Sequence, residues 1–441
     1  LQVRDIVSWT ALIAGYARHG YDKEALNSFH QMQHEGHSPN VLTYVCILKA
    51  CGNIGAINEG KEMHAEILKE GFLRTNILVG NALVDMYAKF AIPEKAQEVF
   101  DQLPVRDVVS WNALISAYVH QGSAEEALNR FCEMQDAGIV PDLATFLCIL
   151  KACGNIGCID TGEKIHVNIA RDRLLEKDAL IGTALVDMYV KCGSLTKAHE
   201  VFNELPTRNV VSWNTLIAGY VKSGHNKEAM DCFHRMCNED MSWPDSITYS
   251  CMLKACANIE CLEKGKEIHD EIIRKGLLGK DVVLGTSLVD MYAKCDQMSK
   301  AEEMFDELLS RNVVSWNVLI TGYAQHGQSK EALLCFERMR REGISPDSVT
   351  FMCILKACGN LQDVHKGKEI HDEIIGKGLL RKDVTLGNCL IDMYAKCGVL
   401  GKAEQVLKEL PMRNVVSWSA MISGYVLHGH EKEALTCYGR M

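Results

Sequence analysis

The apolar positions of this chain recur with the period of an amphipathic helix. From Val108 onward, aromatic and aliphatic side chains follow at i, i+3, i+4 and i+7, which places them on one helix face. These residues are Trp111, Leu114, Ile115 and Tyr118. A glycine just past the last turn commonly ends a helix, and Gly122 follows Gln121. The pattern therefore predicts a helix that begins near Val108 and ends at Gln121.

The next residues predict a second helix that packs against the first. Its inner face carries Ala127, Phe131 and Met134. Gly138 and Pro141 close it, because proline prevents the helix from continuing into the next unit. A single hairpin of this size buries too little apolar surface to be stable alone, so we expect it to stack on neighbouring hairpins.

The hairpin recurs along the whole chain. Five tryptophans, at 9, 111, 213, 316 and 418, lie 102, 102, 103 and 102 residues apart. Each interval holds three repeats of about 35, 36 and 31 residues, which we name the first, middle and short repeats. The four triplets are 6–107, 108–209, 210–312 and 313–414. Their first repeats are 6–40, 108–142, 210–245 and 313–347, and their middle repeats are 41–76, 143–178, 246–281 and 348–383. Their short repeats are 77–107, 179–209, 282–312 and 384–414.

The two ends continue the same pattern. Residues 415–441 are predicted to be an incomplete first repeat, and residues 1–5 the tail of an earlier repeat. Neither end carries a polar capping helix, so we expect a fragment of a longer protein. Self-similarity at a fixed period predicts an all-α fold, a right-handed α-solenoid superhelix of stacked helix-turn-helix repeats.

Composition narrows the class of protein. Apolar residues make up 47% and charged residues 24% of the 441 residues, which is ordinary for a folded soluble protein. No apolar run approaches the roughly 18–20 residues that cross a membrane, and we expect no membrane partner. The net charge of −10 means that any positive field must be local to one face.

Cysteine is abundant, with nineteen residues, and recurs at fixed repeat positions. One set is Cys46, Cys148, Cys251 and Cys353, and another is Cys51, Cys153, Cys256 and Cys358. Helix-forming apolar residues surround both sets, so we expect small buried hydrophobic side chains that are reduced.

Three histidines invite a metal interpretation, since His64, His269 and His371 each begin an H-x-E sequence. That is half of a zinc deaminase motif, and the other half, P-C-x-x-C, does not occur. His166 is followed by valine and asparagine instead. We therefore expect no metal ligand, no cofactor and no catalytic residue in this chain. We also expect the tryptophans to be core residues rather than platforms for base stacking.

The alternating lengths of 35, 36 and 31 residues resemble plant pentatricopeptide repeat proteins of the PLS class. So do the sequences "VVSWNALI", "LKACGNIG", "GKEIH", "ALVDMYAKCG" and "LPxRNVVSW". The resemblance covers essentially the whole chain. It implies that the first and short repeats each face one base of single-stranded RNA, read by the fifth and last residues of the repeat.

Carried onto this chain, the resemblance gives eight base-reading pairs. They are Thr10 with Asn40, Asn81 with Asp107, Asn112 with Asp142, Thr183 with Asn209, Asn214 with Asp245, Thr286 with Asn312, Asn317 with Asp347, and Asn388 with Asn414. The second residues, Val7, Leu78, Val109, Leu180, Val211, Val283 and Val314, would sandwich the bases, with Thr385 departing from the pattern. The alternative interpretation is that such polar residues are helix caps or solvated surface residues.

The hydrogen-bonding groups of these side chains agree with the base preferences that the resemblance implies for the pairs. An ionised aspartate only accepts, so it suits the ring N–H of uracil or guanine, whereas asparagine can also donate to the bare ring nitrogen of cytosine or adenine. A compact threonine leaves room for a purine. The middle repeats carry Val45, Leu147, Ser250 and Met352 at the fifth position, so we expect them to read no base. The predicted target is 5′-AnUUnAUnAUnC-3′.

The resemblance implies a specificity factor for C-to-U editing in plant mitochondria or, alternatively, chloroplasts. Implied partners are single-stranded organellar RNA, multiple organellar RNA editing factor proteins, and a DYW-type deaminase supplied in cis or in trans. This chain would not itself be an enzyme. The alternatives are a protein-interaction scaffold, which the net acidity favours, and a factor for RNA processing, stability or splicing.

Overall fold

The computed structural model describes residues 5–238, 243–279, 281–380 and 383–441. Within these ranges the regular structure is entirely α-helical, with no strand. The all-α fold of stacked helical hairpins is thus confirmed. The predicted N-terminal tail lies outside the described residues except for Asp5. None of the described helices is both long and apolar enough to cross a membrane.

The chain forms two compact halves, residues 1–219 and 220–441. The helices of the N-terminal half are α1 (Ile6–Arg18), α2 (Asp22–His34), α3 (Val41–Ile54), α4 (Ile57–Lys69), α5 (Phe72–Thr75), α6 (Ile77–Lys89), α7 (Pro93–Asp101), α8 (Val108–Gln121), α9 (Ala124–Asp136), α10 (Leu143–Ile156), α11 (Ile159–Arg171), α12 (Leu174–Lys177), α13 (Ala179–Lys191) and α14 (Leu195–Glu204), followed by α15 (Val210–Lys222), which contains the border.

The C-terminal half repeats the arrangement. Its helices are α16 (Asn226–Asn238), α17 (Ser246–Asn258), α18 (Leu262–Arg274), α19 (Val282–Lys294), α20 (Met298–Asp306), α21 (Val313–Gln325), α22 (Ser329–Arg341), α23 (Ser348–Leu361), α24 (Val364–Gly376), α25 (Val384–Lys396), α26 (Leu400–Glu409), α27 (Val415–Leu427) and α28 (Glu431–Tyr438). The first helix of every repeat begins at the first residue assigned to that repeat from the sequence.

The helix ends have the local causes that the sequence indicates. Gly122 ends α8 in the left-handed conformation with φ of 90°, and Gly138 follows α9 with φ of 75°. These torsions are strained for residues with a Cβ, which explains glycine at both points.

The core of each half runs between consecutive hairpins. The first helix of one repeat packs on the first helix of the next, as α3 does on α6 and α6 on α8. Trp111 meets Phe100 edge to face at 4.7 Å between ring centroids, and Trp316 meets Phe305 at 4.5 Å. The expectation of core tryptophans is confirmed for 9, 111, 213 and 316, which are at most 5% exposed, whereas Trp418 is only half-buried.

The short repeats have glycine where the first repeats have tryptophan. A Cβ on Gly80 would lie 2.2 Å from the Cδ2 of Leu103, and one on Gly387 would lie 2.3 Å from the Cδ2 of Leu410. The leucine just after the second helix of each short repeat therefore occupies the space over this glycine. The fourth position of the first helix thus holds a large aromatic side chain in the first repeats and no side chain in the short repeats.

The cysteines divide into two groups. Cys51, Cys153, Cys256 and Cys358 are fully buried, as expected. The other repeated set, which begins with Cys46, is only half-buried, because it lies five residues earlier on the same helix and therefore about 140° around the helix axis from the buried set. Burial raises the pKa of Cys51 to about 12, so this thiol stays protonated at neutral pH.

Candidate nucleic-acid interface

The last residue of each first and short repeat is the N-cap of the following helix. At the end of repeat 108–142, the Asp142 Oδ1 accepts the backbone N–H of Thr145 at 3.0 Å, and the Thr145 hydroxyl accepts the Asp142 backbone N–H at 3.1 Å. Thr145 is the third residue of α10, so we call this border an N3-capped junction. The same bond to the third residue is made by Asn40, Asp107, Asn209, Asp245, Asn312, Asp347 and Asn414.

The predicted pairs meet at these caps. The Asn112 Nδ2 donates to the Asp142 Oδ1 at 2.9 Å, 30 residues away in sequence. The corresponding amide bonds measure 3.1 Å for Asn81 with Asp107, 3.0 and 3.1 Å for Asn317 with the two Asp347 oxygens, and 3.3 Å for Asn388 with Asn414. In the Thr10 pair the direction is reversed, since the Asn40 Nδ2 donates to the Thr10 Oγ1 at 3.2 Å.

Two pairs are not joined directly within the described chain. The hydroxyls of Thr183 and Thr286 instead donate to the carbonyls of Ala179 and Val282 in their own helices, at 3.0 and 2.7 Å. Thr10 makes the same bond back to the Ile6 carbonyl at 2.7 Å and still accepts from Asn40, so this bond alone does not separate these two pairs from the Thr10 pair. Asn214 and Asp245 belong to different halves and are described separately: Asn214 is buried, and Asp245 caps α17 with the same torsions as Asp142.

A third residue, not singled out from the sequence, completes the site. The Thr145 hydroxyl donates to the Asn112 Oδ1 at 2.6 Å, and those of Thr350 and Ser417 do the same for Asn317 and Asn388. This bond fixes which end of the asparagine amide faces the cap. A signal was present, because serine or threonine stands at the third position of every helix that follows such a cap.

Asp5 is a second omission. It caps α1 through the Ser8 N–H at 2.8 Å, with the extended torsions of the other N3 caps. It therefore caps its helix in the same way as the last residues of the first and short repeats. Its position just before Ile6 was the available signal.

The aspartate caps are ionised at neutral pH. Burial would raise the pKa of Asp142, but hydrogen bonds from the Thr145 backbone N–H, the Asn112 amide and the Thr145 hydroxyl outweigh it. The pKa therefore lies below its ordinary value. The same balance lowers the pKa of Asp107 and of Asp347.

Side-chain exposure differs between the predicted positions. The fifth residues are more covered than the prediction of groove-facing side chains implied, since Thr10, Asn81, Asn214, Thr286, Asn317 and Asn388 are all buried. Asn317 and Asn388, for example, are each hydrogen-bonded to the cap and the third residue of a single neighbouring helix, and only an edge of each side chain stays open. The second residues Val7, Leu78, Val109, Leu180, Val211, Val283 and Val314 are 53–68% exposed, an unfavourable position for apolar side chains without a ligand.

The open edges line cavities along the first helices. One cavity of about 400 Å³ is lined by Thr286 and Asn312 together with Val283 and Val314. Another, of about 520 Å³, is lined by Asn388, Val416 and Ser419. Predicted base-reading and base-sandwiching residues thus line the same cavity around Thr286.

The middle repeats end differently. Asp178 accepts the backbone N–H of Leu180, the second residue of α13, at 2.7 Å, and its ψ is 118° where that of Asp142 is −175°. We call such a border an N2-capped junction. Asn76, Asp281 and Asp383 make the corresponding bond. Of the fifth residues of the middle repeats, Val45, Leu147 and Met352 have no hydrogen-bonding group that could reach such a cap.

The histidines of the H-x-E sequences have a structural contact. The Nδ1 atoms of His64, His269 and His371 lie 2.9, 2.8 and 2.9 Å from the hydroxyls of Tyr87, Tyr292 and Tyr394. His166, which lacks the glutamate, makes the same contact with Tyr189 at 3.0 Å. Among the described residues no group of three or more histidine, cysteine or acidic side chains is arranged to hold a metal ion.

Stacked helical hairpins with a periodic polar row along their first helices define a helical-repeat protein. The family model described as "PPR repeat family" matches residues 4–53, 106–155, 208–258 and 311–360, and the one described as "PPR repeat" matches 183–210, 247–277, 286–313, 388–415 and 416–441. The chain belongs to the pentatricopeptide repeat family.

Relatives and solved structures agree with this assignment. Three pentatricopeptide repeat-containing proteins of Arabidopsis thaliana, two of them named chloroplastic, are 35%, 36% and 35% identical, each over 99% of this chain, which spans 63%, 53% and 70% of their lengths. The crystal structure of the pentatricopeptide repeat protein PPR10 from maize is 22% identical with a TM-score of 0.67, covering 100% of this chain and 69% of that one. PPR10 in complex with an 18-nucleotide psaJ RNA element gives 21% and 0.70 with the same coverage.

Proposed function

We propose that this chain binds single-stranded RNA sequence-specifically, one nucleotide to each first and short repeat. The observation that carries the proposal is the N3-capped junction, where the fifth residue of one repeat and the cap of the next share hydrogen bonds at the edge of a groove. PPR10, whose fold this chain shares, was solved with bound RNA. The middle repeats are proposed to act as spacers without base reading.

Capping explains why aspartate and asparagine select bases whose ring nitrogens have opposite hydrogen-bonding roles. In an Asn–Asp pair one carboxylate oxygen accepts the cap bonds, and the other remains an acceptor. The Asn112 Oδ1 is already engaged by Thr145, so its amide can offer only N–H. One donor beside one acceptor complements the carbonyl and ring N–H of uracil.

Asparagine as the cap reverses this polarity. The Asn312 Oδ1 is consumed by the Ser315 N–H at 3.0 Å, which leaves the NH₂ group as the polar end for a ligand. An N–H donor suits the bare ring nitrogen of adenine or cytosine. The shorter Thr286 then leaves room for adenine, and the longer Asn388 in its pair with Asn414 reaches cytosine.

The exposed second residues supply the contact that does not depend on sequence. Val283 and Val314 lie on the same cavity as the Thr286 pair and are proposed to hold the base between them. Together the eight pairs give the proposed target 5′-AnUUnAUnAUnC-3′.

The biological role follows as a further part of the proposal. The repeat order of the PLS class favours a specificity factor for C-to-U editing, with the deaminase and editing-factor proteins supplied by the rest of the protein or by partners. Relatives are named chloroplastic and, in one case, mitochondrial, so an organelle is the proposed location. The chain spans less than two-thirds of the first relatives it matches.

The proposal is tested by Asn112→Thr with Asp142 unchanged. Preference at the matching nucleotide should move from uracil toward guanine, because the acceptor is kept while room for a purine is made. A good base-reading contact is worth about 1–3 kcal/mol, so the ratio of the two affinities should change by roughly 5- to 150-fold. The measurement is competition binding with 12-mers that differ only at that nucleotide.

Wild-type binding to the proposed 12-mer and to a scrambled 12-mer is the accompanying control. Equal, weak binding to both would contradict RNA reading. It would support the second candidate, a protein-interaction scaffold, which the net charge of −10 favours.

A further inference from the structure

Each middle repeat carries a lysine at the ninth position of its first helix. These four residues are Lys49, Lys151, Lys254 and Lys356, and we call them the lysine row. All four are exposed. The ninth position lies one helical turn past the fifth, on the same face. The lysine row thus occupies, in the middle repeats, the face that carries the candidate base-reading residues elsewhere.

The lysine row is not neutralised within the protein. None of its members has an ion pair or a hydrogen bond in the part of the chain that the structure describes. The recurring lysines of the short repeats, by contrast, are all held one turn from an aspartate of their own helix: Lys89 by Asp85 at 3.0 Å, Lys191 by Asp187 at 2.7 Å, Lys294 by Asp290 at 2.9 Å, and Lys396 by Asp392 at 2.8 Å.

Two members of the row line the cavities already described. Lys254 shares a cavity with Thr286 and Asn312, and Lys356 shares one with Asn388. Asp392 also lines the second cavity, but its carboxylate is compensated by Lys396. An uncompensated ammonium therefore lies beside a proposed base-reading pair in both places, in a protein whose overall charge is −10.

We propose that the lysine row binds RNA phosphates, one lysine to each triplet of repeats. A lysine ammonium is a compact charge that binds phosphate without a fixed geometry, so it adds affinity but no base preference. The middle repeats would then hold the RNA backbone between bases that their neighbours read. This inference rests on RNA as the ligand of the proposed function, but not on the base code.

The test compares two fourfold variants of the whole chain. One replaces the lysine row by glutamine: Lys49→Gln, Lys151→Gln, Lys254→Gln and Lys356→Gln. The control makes the same charge change on the second helices of the same middle repeats, at exposed positions outside the groove: Lys61→Gln, Lys164→Gln, Lys266→Gln and Lys368→Gln. Circular dichroism establishes that both variants are folded.

Binding to 5′-ACUUCAUCAUCC-3′ and to its scrambled form is measured by fluorescence anisotropy from 50 to 300 mM KCl. Each phosphate contact to a single strand contributes about 0.7 to the slope of log K against log salt. The lysine-row variant should therefore lose about 3 in slope, and weaken binding to both RNAs by the same factor. The control variant should lose clearly less.

The outcomes separate the two proposals. Equal slopes for the two variants, or a loss confined to the matching RNA, would overturn the phosphate role. Wild-type binding without preference between the RNAs would overturn base reading, and a lower slope for the lysine-row variant would still support the phosphate contacts. Absence of any binding by the wild type would overturn both.

Discussion

The N3-capped and N2-capped junctions contain the same types of capping residue, but these residues make different contacts. Asp142 and Asp178 are both aspartates that cap a helix one repeat apart. Asp142 is hydrogen-bonded to Asn112, the fifth residue of the repeat that Asp142 ends, whereas the fifth residue of the repeat that ends at Asp178 is Leu147, which has no hydrogen-bonding group in its side chain. Residue identity at the cap is therefore insufficient to make a reading site, and the backbone torsion with the preceding fifth residue decides it.

A second contact distinguishes the N2-capped junctions. There the middle repeat is joined to the short repeat by a histidine and a tyrosine, as His371 is to Tyr394 at 2.9 Å. The N3-capped junction thus has its hydrogen bond between the fifth residue and the cap at the groove edge. The N2-capped junction has its histidine–tyrosine hydrogen bond in the interior, between two hairpins. The predictions that follow test this difference, beginning with the largest expected effect.

Stability should not distinguish the first repeats from the middle repeats, whose first helices both follow an N3 cap. Trp316→Ala in a first repeat and Phe351→Ala in a middle repeat each remove a fully buried aromatic side chain. Each should lower the free energy of unfolding by about 3–5 kcal/mol, measured by urea denaturation. A Trp316→Ala variant of unchanged stability that lost RNA affinity would mean that the tryptophan contacts the ligand instead of the core.

Loss of a cap should affect reading at only one kind of junction. Asp142→Ala should cost about 1–2 kcal/mol of stability, and abolish the uracil preference at its nucleotide. Asp178→Ala should have a similar or smaller cost in stability and leave every base preference unchanged. The two variants are compared by urea denaturation and by competition binding. A base preference that depends on Asp178 would contradict the distinction.

Mild acid should weaken the N2-capped junctions first. Burial lowers the pKa of His371 below its ordinary value of about 6.5. The unfolded chain then binds the proton more readily than the folded chain, so stability is complete above that pH and falls as the pH drops below it. The Asp142 pKa is lowered too, but for an acid this means that its stabilisation is complete above about pH 3.9 and is lost only below it.

The measurement is the free energy of unfolding at pH 7.5 and 5.5. Between pH 7.5 and 5.5, the free energy of unfolding of His371→Gln should fall less than that of the wild type. The difference between the two proteins should be smaller than the destabilisation caused by losing a cap. The control is His365→Gln, an exposed residue of the same helix, which should keep the wild-type dependence. An identical dependence in all three proteins would refute the role of the buried histidine.

The smallest effect should come from placing the residues of an Asn–Asp pair at a junction whose cap has a different backbone torsion. Leu147→Asn places an asparagine thirty-one residues before Asp178, imitating the Asn–Asp pair. Because Asp178 caps through the second residue with a ψ of 118°, no uracil preference above about twofold should appear at that nucleotide. Competition binding with all four bases there is the readout. A new preference would show that identity alone makes a reading site.

The periodicity predicted much of this molecule because each hairpin is a local structure. The helix from Val108 to Gln121, its glycine end, and the inward face of Ala127, Phe131 and Met134 all follow from spacing. The eight predicted pairs remain proposals about RNA, although five of them are joined by hydrogen bonds. The Thr145 hydroxyl was not predicted: the recurrence of serine or threonine at this position is visible in the sequence, but its bond to Asn112, 33 residues away, depends on how the helices pack.

By itself the sequence determined the repeat order, the helix borders and the alternation of tryptophan with glycine, because these depend on contacts within a hairpin and its period. Only the tertiary structure decided which polar side chains meet. Asn112 and Asp142 are 30 residues apart, and their bond forms because α8 and α10 pack side by side. The ion pairs of the short-repeat lysines are local, since each joins residues four apart in one helix, whereas only the tertiary structure shows that no neighbouring helix of the described chain compensates the lysine row.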